Sequence, residues 1–397
     1  MKHLVVIVAG LTDKPFAEKD NKTPLQLADT PNLDALTKNA TCGPVQTIPD
    51  DLHPGNEVSC LGLLGLDPQK YSSGHAALSA MGLGIKPESD EIALCCDLIT
   101  LQPTHDDMVM KDYTGGHLSH VDSGLLIDAL NEQVIDAPVT FHNGGGYHNL
   151  IFIKSPPISE RLSPPNELIG EGIRQFMPEG GPARELVFVM NQAQIILHNH
   201  SYNRKRAVDK EDPVNSVWFW GNGELPSPPS FRERYDKSAS VVTASLMVKG
   251  IGKLTGMNVV DVDGATGFLD TNYSAKVSAT LKELESVDVV FLHISAGEEV
   301  SLKGDIDDKV LAIEDFDTEV IKPLAQAMET MENVKMMVVV NHVSSAMSMK
   351  YERTPVPYLV YPAASEGSDQ YDEKLLETGK SFDNAPDLLT AFLKDQI

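Results

Sequence analysis

The sequence predicts an α/β fold built on a doubly wound, mostly parallel sheet, with a smaller α+β unit inserted into it. Three observations carry this prediction. Four short runs are apolar at nearly every position rather than every second one: LVVIV at 4–8, VDVVFLHI at 287–294, KMMVVV at 335–340 and PVPYLVY at 355–361. Such runs mark strands buried on both faces, as in a parallel sheet covered by helices. Between them, PNLDALTK at 31–38, SAKVSATLKELES at 274–286 and DKVLAIEDFDTEVIKPLAQAMETM at 308–331 repeat apolar residues at i, i+3 and i+4, the spacing of an amphipathic helix. Finally, at roughly 100–200 residues per domain, 397 residues allow two domains or one large domain with an insertion.

Taken in order, the chain opens on the strand at 4–8, and the helix at 31–38 follows. From about Asp90 to Asn203 the pattern changes. Two strand runs (IALCCDLITL, MVMKDYT) precede a helix (HVDSGLLIDALNEQ), then come two more strands (PVTFH, HNLIFIKS) and a second helix (PARELVFVMNQAQIILHNHS). This is the expected insertion, 90–203, with 1–89 and 204–397 forming the sheet domain. PPISERLSPPN at 156–166 reads as its exposed loop, because proline removes donors and fixes φ. HNGGGYH at 142–148 reads as a tight hairpin turn, since no helix follows to make an anion site of it. The remaining helices and strands complete the sheet, and ligands of such sheets bind beyond the carboxyl ends of the strands.

With 32 basic and 57 acidic side chains the formal charge is −25. Nucleic acid and anionic lipid both need net positive charge on their partner, so neither is expected here. No apolar run approaches the ~20 residues that span a bilayer, and the start reads as a strand rather than a signal peptide. A cytoplasmic protein is expected. Cys42, Cys60, Cys95 and Cys96 have no paired spacing and read as reduced thiols; Cys95 and Cys96 fall on opposite faces of one strand and read as packing.

Four segments carry unusual detail: NKTPLQLADTPNLDAL (21–36), HPGNEVSCLGLLGLDPQKYSSGHAALSAMGLGI (53–85), DGATGFLDTNYSAKV (263–277) and HISAGEEVSLKGDIDDKVLAIEDFD (293–317). With KEDPVNSVWFWG at 210–221 and TPVPYLVYP near the end, and in that order, they resemble the archaeal-type cofactor-independent phosphoglycerate mutases of the alkaline phosphatase superfamily. Some relatives in that branch are assigned as homoserine kinases. The resemblance covers nearly the whole chain and implies an alkaline-phosphatase-like α/β domain with an inserted α+β domain. It also implies a chemistry in which two divalent cations (manganese, zinc or magnesium) activate a serine that takes and returns a phosphoryl group.

The residues at the implied positions differ from that pattern. Gly-Asp-Gly after the first strand corresponds to Val8-Ala9-Gly10, and the nucleophilic serine falls on Asn56 of Pro54-Gly55-Asn56-Glu57. Asp-Glu-x-Gly-His corresponds to Glu298-Glu299-Val300-Ser301-Leu302, Asp-His to Asn341-His342, and the last histidine to Tyr351. Only His342 keeps its identity and Glu298 its chemistry. The arginines that grip phosphate correspond to His75 and His148, and Arg-Cys-Asn to Cys95-Cys96-Asp97. An amide is no substitute for an alkoxide nucleophile, and two scattered ligands do not hold two cations.

The first expectation is therefore a catalytically silent mutase relative with a binding, regulatory or structural role and no metal cofactor. The alternative is an active metal-dependent mutase or homoserine kinase-like phosphotransferase using Glu298, Glu57, His342 and a displaced nucleophile such as Ser59. A small metabolite in the concavity between the domains is the expected partner, and a homo-oligomer is compatible with the sequence. Simpler readings cover the other candidates. His198 and His200 mark a helix end, Asp305, Asp307 and Asp308 a charged helix start, and Asn56 an N-cap.

Overall fold

The computed structural model describes residues 1–72, 74–181, 183–363 and 367–397. Pro182, with which the run PARELVF opens, lies outside the described residues. In chain order the strands are β1 (Lys2–Val8), β2 (Thr41–Val45), β3 (Glu91–Pro103), β4 (Met108–Asp112), β5 (Val139–His142), β6 (His148–Lys154), β7 (Ser216–Trp220), β8 (Ala239–Val242), β9 (Asn258–Val260), β10 (Val289–Ile294), β11 (Val334–Val340), β12 (Val343–Ser345), β13 (Lys350–Glu352) and β14 (Val356–Tyr361). The chain divides into two units, Met1–Ser72 with Pro226–Ile397, and Ser73–Leu225.

The first unit is a sheet in the order β2-β14-β11-β1-β10-β8-β9. Central β1 pairs in parallel with β10 and β11, and its residues Leu4 to Val8 are at most 2% exposed. Each such buried Val, Leu or Ile contributes ~1.5–3 kcal/mol, which is why an unbroken apolar run is stable only at the middle of the sheet. β10, β8 and β9 continue in parallel, giving the mostly parallel α/β sheet that the sequence predicts. β14 runs antiparallel, to both β11 and β2. Its apolar run reflects burial between two neighbours, which does not depend on direction. The strands 41–45, 239–242 and 258–260 escape the sequence pattern because they are short and carry Gly, Pro, Ser or Asn.

The helix expected at 308–331 is interrupted. Helical turns over Ile306–Asp315 pass into a π-helical stretch, Phe316–Ile321, before Lys322–Met328. That bulge carries the fully buried Asp317, whose carboxylate accepts hydrogen bonds from the backbone N–H of Asn32 and Leu33 and from Asn32 Nδ2. It thereby caps the start of helix Pro31–Thr37 from outside that helix. Asp305 caps helix Ile306–Asp315 by accepting from Asp308 N at 2.9 Å, the charged helix start expected there.

The second unit is a sheet in the order β4-β3-β6-β5, with β7 also paired to β3. Its limits, 73 and 225, lie outside the expected 90 and 203. Two elements account for the difference: β7 is antiparallel to β3, and helix His75–Leu83 seats Ala76 and Ala80 against Ala93, Cys95, Leu150 and Phe152. HNGGGYH joins β5 to antiparallel β6 as a tight turn, with Gly145 and Gly146 at positive φ. His198 ends helix Ala183–Asn199, and His200 Nδ1 accepts from Tyr202 N at 3.2 Å to start helix Ser201–Asp209. All four cysteines are buried. Among the described residues no helix is long and apolar enough to cross a membrane.

Among the described residues of the first unit, Lys309 and Lys276 are buried. Lys309 Nζ lies 2.8 Å from Asp13 Oδ2, both side chains fully buried, and donates to the carbonyl oxygens of Thr12 and Ser344; Ala346 N donates to the same Asp13 oxygen. The pair fastens helix Ile306–Asp315 to the loop after β1 and to β12. Asp13→Ala leaves that ammonium uncompensated and is expected to cost ~3–5 kcal/mol in urea unfolding; a loss under ~1 kcal/mol would show the pair to be dispensable. Lys276, on helix Tyr273–Ser286, is 1% exposed, and burial with the charge of Lys249 lowers its pKa from 10.5 to about 7. Between those values the unfolded chain holds a proton that the folded chain has released, so stability rises with pH, by about 1.4 kcal/mol per unit. Lys276→Met is thus expected to be more stable than the natural chain at pH 7, with the gap closing as the pH approaches 10.5. A constant gap would count against this assignment.

Candidate functional site

The ends of the three central strands converge at backbone level. Ala9 N donates to Ile294 O at 2.8 Å and Asn341 N to Val8 O at 2.9 Å, which sets the residues following β1, β10 and β11 side by side. Helix Ala296–Leu302 begins there, pressed against the turn after β1. Gly10, at φ +78°, makes that approach, since a Cβ on it would stand 2.1 Å from Glu298 N and from Gly297 C. No other residue fits such a contact.

Helix Asn56–Leu63 supplies the next side chain. Its N-cap is Gly55, and Asn56 is the first helical residue, so the expected N-cap role for Asn56 is incorrect. Freed from capping, the amide turns to Glu298. Asn56 Nδ2 donates to both carboxylate oxygens of Glu298 at 3.2 Å, and Asn56 Oδ1 accepts from Asn341 Nδ2 at 2.7 Å and from Cys60 Sγ at 3.2 Å. From β13, Tyr351 Oη donates to Glu298 Oε1 at 2.6 Å. Glu298 is 3% exposed, and its charge adds to burial in pushing the Cys60 thiol well above its ordinary pKa. Cys60 is an inert partner in this network.

The remaining residues lie around this centre. The His342 ring packs on Tyr351 at 4.4 Å, its Nδ1 is 3.2 Å from Ser344 Oγ, and its Nε2 has no hydrogen-bond partner among the described residues. Burial, with a smaller contribution from the Lys309 charge, lowers its pKa to about 4, so the ring is neutral at pH 7. Leu302 is a buried apolar residue one turn along the helix from Glu298. Ser59 is fully buried, and its hydroxyl donates to the carbonyl oxygens of Gly55 (3.3 Å) and Asn56 (3.2 Å), within its own helix. Glu57 accepts from Ser72 Oγ.

His75 and His148 belong to the second unit. His75 opens helix His75–Leu83 and packs on Trp220 with ring centroids 4.7 Å apart; burial lowers its pKa to about 3. His148 Nδ1 is 2.9 Å from Asp97 Oδ1, and Asp97 Oδ2 accepts from Trp220 Nε1 at 2.9 Å. The sequence shows Asp97 only as the last residue of Cys95-Cys96-Asp97, with no sign of these partners. Nor does it show Cys60 and the Tyr351 hydroxyl as partners, because contacts across strands and loops leave no local signal.

The donor set tests whether the two implied cations fit here. Ala9 and Leu302 have no lone pair to offer. Asn56 and Tyr351 point hydrogens, not lone pairs, toward the one carboxylate, and Asn341 donates to Asn56. One carboxylate and one neutral imidazole remain, and among the described residues no group of three or more His, Cys, Asp or Glu is placed to hold a metal ion. These residues do not fit a pair of divalent cations, each of which requires three or more protein donors.

Comparison with known proteins places this geometry in a lineage. A family model described as 2,3-bisphosphoglycerate-independent phosphoglycerate mutase matches residues 37–203. Proteins of that name from Methanosarcina barkeri (34% identical) and Methanosarcina acetivorans (33%) each align over 99% of this chain and all of their own length. Among solved structures, a Pyrococcus horikoshii protein superposes with a TM-score of 0.76 at 22% identity, over 100% of this chain and 98% of its own. A cofactor-independent phosphoglycerate mutase from Thermoplasma acidophilum does so at 0.56 and 24%, over 99% of each. The structural likenesses establish the fold, and the full-length identities establish the lineage: this chain belongs to the 2,3-bisphosphoglycerate-independent phosphoglycerate mutase family.

Proposed function

We propose that this family member does not transfer phosphoryl groups and serves a binding, regulatory or structural role on the mutase scaffold. The observation that carries the proposal is the state of the implied nucleophile. Asn56 has no hydroxyl, and its amide is engaged on both sides, donating to Glu298 and accepting from Asn341. The nearest replacement, Ser59, is fully buried with its hydroxyl turned into its own helix. Neither offers an atom that could attack phosphorus. His75 and His148 at the implied phosphate-gripping positions support the same reading, since a neutral imidazole binds phosphate less firmly than a guanidinium. The charge of −25 favours a small molecule or protein partner over nucleic acid or anionic lipid.

A second reading, an active metal-dependent mutase or related phosphotransferase, rests on the relatives' names. The aligned proteins are named as phosphoglycerate mutases, and by that criterion the comparisons favour an active enzyme over a silent one. This reading needs divalent metal and an attacking group that the geometry above does not offer.

One assay separates the two. Purified chain supplied with manganese, magnesium or zinc is expected to leave 3-phosphoglycerate unisomerised, at the rate of buffer alone. Conversion to 2-phosphoglycerate above that background, abolished in Glu298→Gln, would establish the active reading.

A further inference from the structure

We infer that the hydrogen-bonded set Asn56, Glu298, Asn341 and Tyr351 stands where the cation pair is implied, as the fixture holding this end of the sheet together, so that the protein reaches and keeps its fold without divalent metal. The inference concerns the same site as the proposed function and rests on that reading only for the choice of site.

The hydrogen bonds run in one direction. Asn341 Nδ2 donates to Asn56 Oδ1, Asn56 Nδ2 donates to Glu298, and Tyr351 Oη donates to Glu298 from the other side. Two donors reach the one buried anion directly, and Asn341 joins them through the Asn56 oxygen. That order joins four parts of the chain: the start of helix Asn56–Leu63, helix Ala296–Leu302, the segment after β11, and β13. A two-cation centre would join the same parts by a different rule, with each side chain offering lone pairs to a central positive charge. The two rules exclude each other. A cation coordinated by Glu298 would face the N–H of Asn56 and the O–H of Tyr351, and both would have to turn away. Desolvation reinforces the choice: a carboxylate that is 3% exposed must have its oxygens satisfied, and here an amide and a phenol satisfy them. The Tyr351 ring lies against His342, the other residue with metal-binding chemistry, so the same side chain that satisfies the carboxylate also packs on the imidazole.

The test uses the full chain, dialysed against EDTA, with metal content read by elemental mass spectrometry and unfolding followed by circular dichroism. The melting temperature is expected to agree within about 1 °C between EDTA and excess manganese or zinc. In EDTA, Tyr351→Phe and Asn56→Leu are each expected to lower it by ~1–3 °C, and less when combined with Glu298→Gln than the single effects add up to. A stoichiometric metal surviving purification, or a melting temperature raised several degrees by manganese, would overturn the inference. So would a Tyr351→Phe chain as stable as the natural one. If a variant fails to fold, the metal titration of the natural chain still decides. The two proposals fail separately. A metal-stabilised chain that leaves 3-phosphoglycerate untouched overturns this inference alone, whereas a metal-indifferent chain that isomerises it overturns the proposed function alone.

Discussion

A carboxylate removed from water must find hydrogen-bond donors or cations, and the arrangement around Glu298 follows from that requirement. The residue is fixed in a buried position by backbone: Gly10, at positive φ, lets the turn after β1 lie directly on the first turn of helix Ala296–Leu302. Once the carboxylate is there, the chemistry of its neighbours decides what the site can be. Acidic or imidazole neighbours would add lone pairs and demand cations. Amide and phenol neighbours supply hydrogens and demand none. This chain has the second set, so its strand-end cluster closes upon itself.

Much of the fold was legible because burial leaves a signature in consecutive residues. The runs at 4–8, 287–294 and 335–340 became β1, β10 and β11, within about two residues at their ends. The signature reports burial and not direction, which is why β14 reads like the parallel strands of the sheet and is antiparallel to both of its neighbours. The π-helical interruption at Phe316–Ile321 was invisible for a related reason. It exists to aim Asp317 at the backbone of Asn32 and Leu33, a contact spanning almost 300 positions that no local periodicity encodes.

At the site, the sequence disclosed which residue types were present but not how they were wired. Asn56 reads as a helix cap because asparagine near a helix start usually is one, yet Gly55 takes the cap, Asn56 is the first helical residue, and its amide is left to cross to Glu298. Tyr351 registered only as a missing histidine. Its hydroxyl is a partner to the carboxylate, and its ring a partner to His342, relations that appear only when β13 is folded back against β12. Asp97 is a parallel case in the second unit, where the β3 to β6 and β3 to β7 registers bring it to His148 and Trp220.

The tension between the relatives' names and the local chemistry has a physical origin. Identity of 33–34% is a figure for the whole length, and a fold can be kept whatever its site does. The site itself occupies a handful of positions, too few to move such a percentage. Those few are coupled more tightly than the rest: exchanging one cation ligand for a neutral group leaves its neighbours repelling each other across a weakened site, whereas exchanging several together restores balance. Tyr351, Asn56 and Asn341 around one glutamate form such a balanced set, each polar atom answering another. The carboxylate of Glu298 and the amides of Asn56 and Asn341 each have partners, whereas His342 Nε2, behind the Tyr351 ring, has none among the described residues, so the balance is confined to the set around the glutamate.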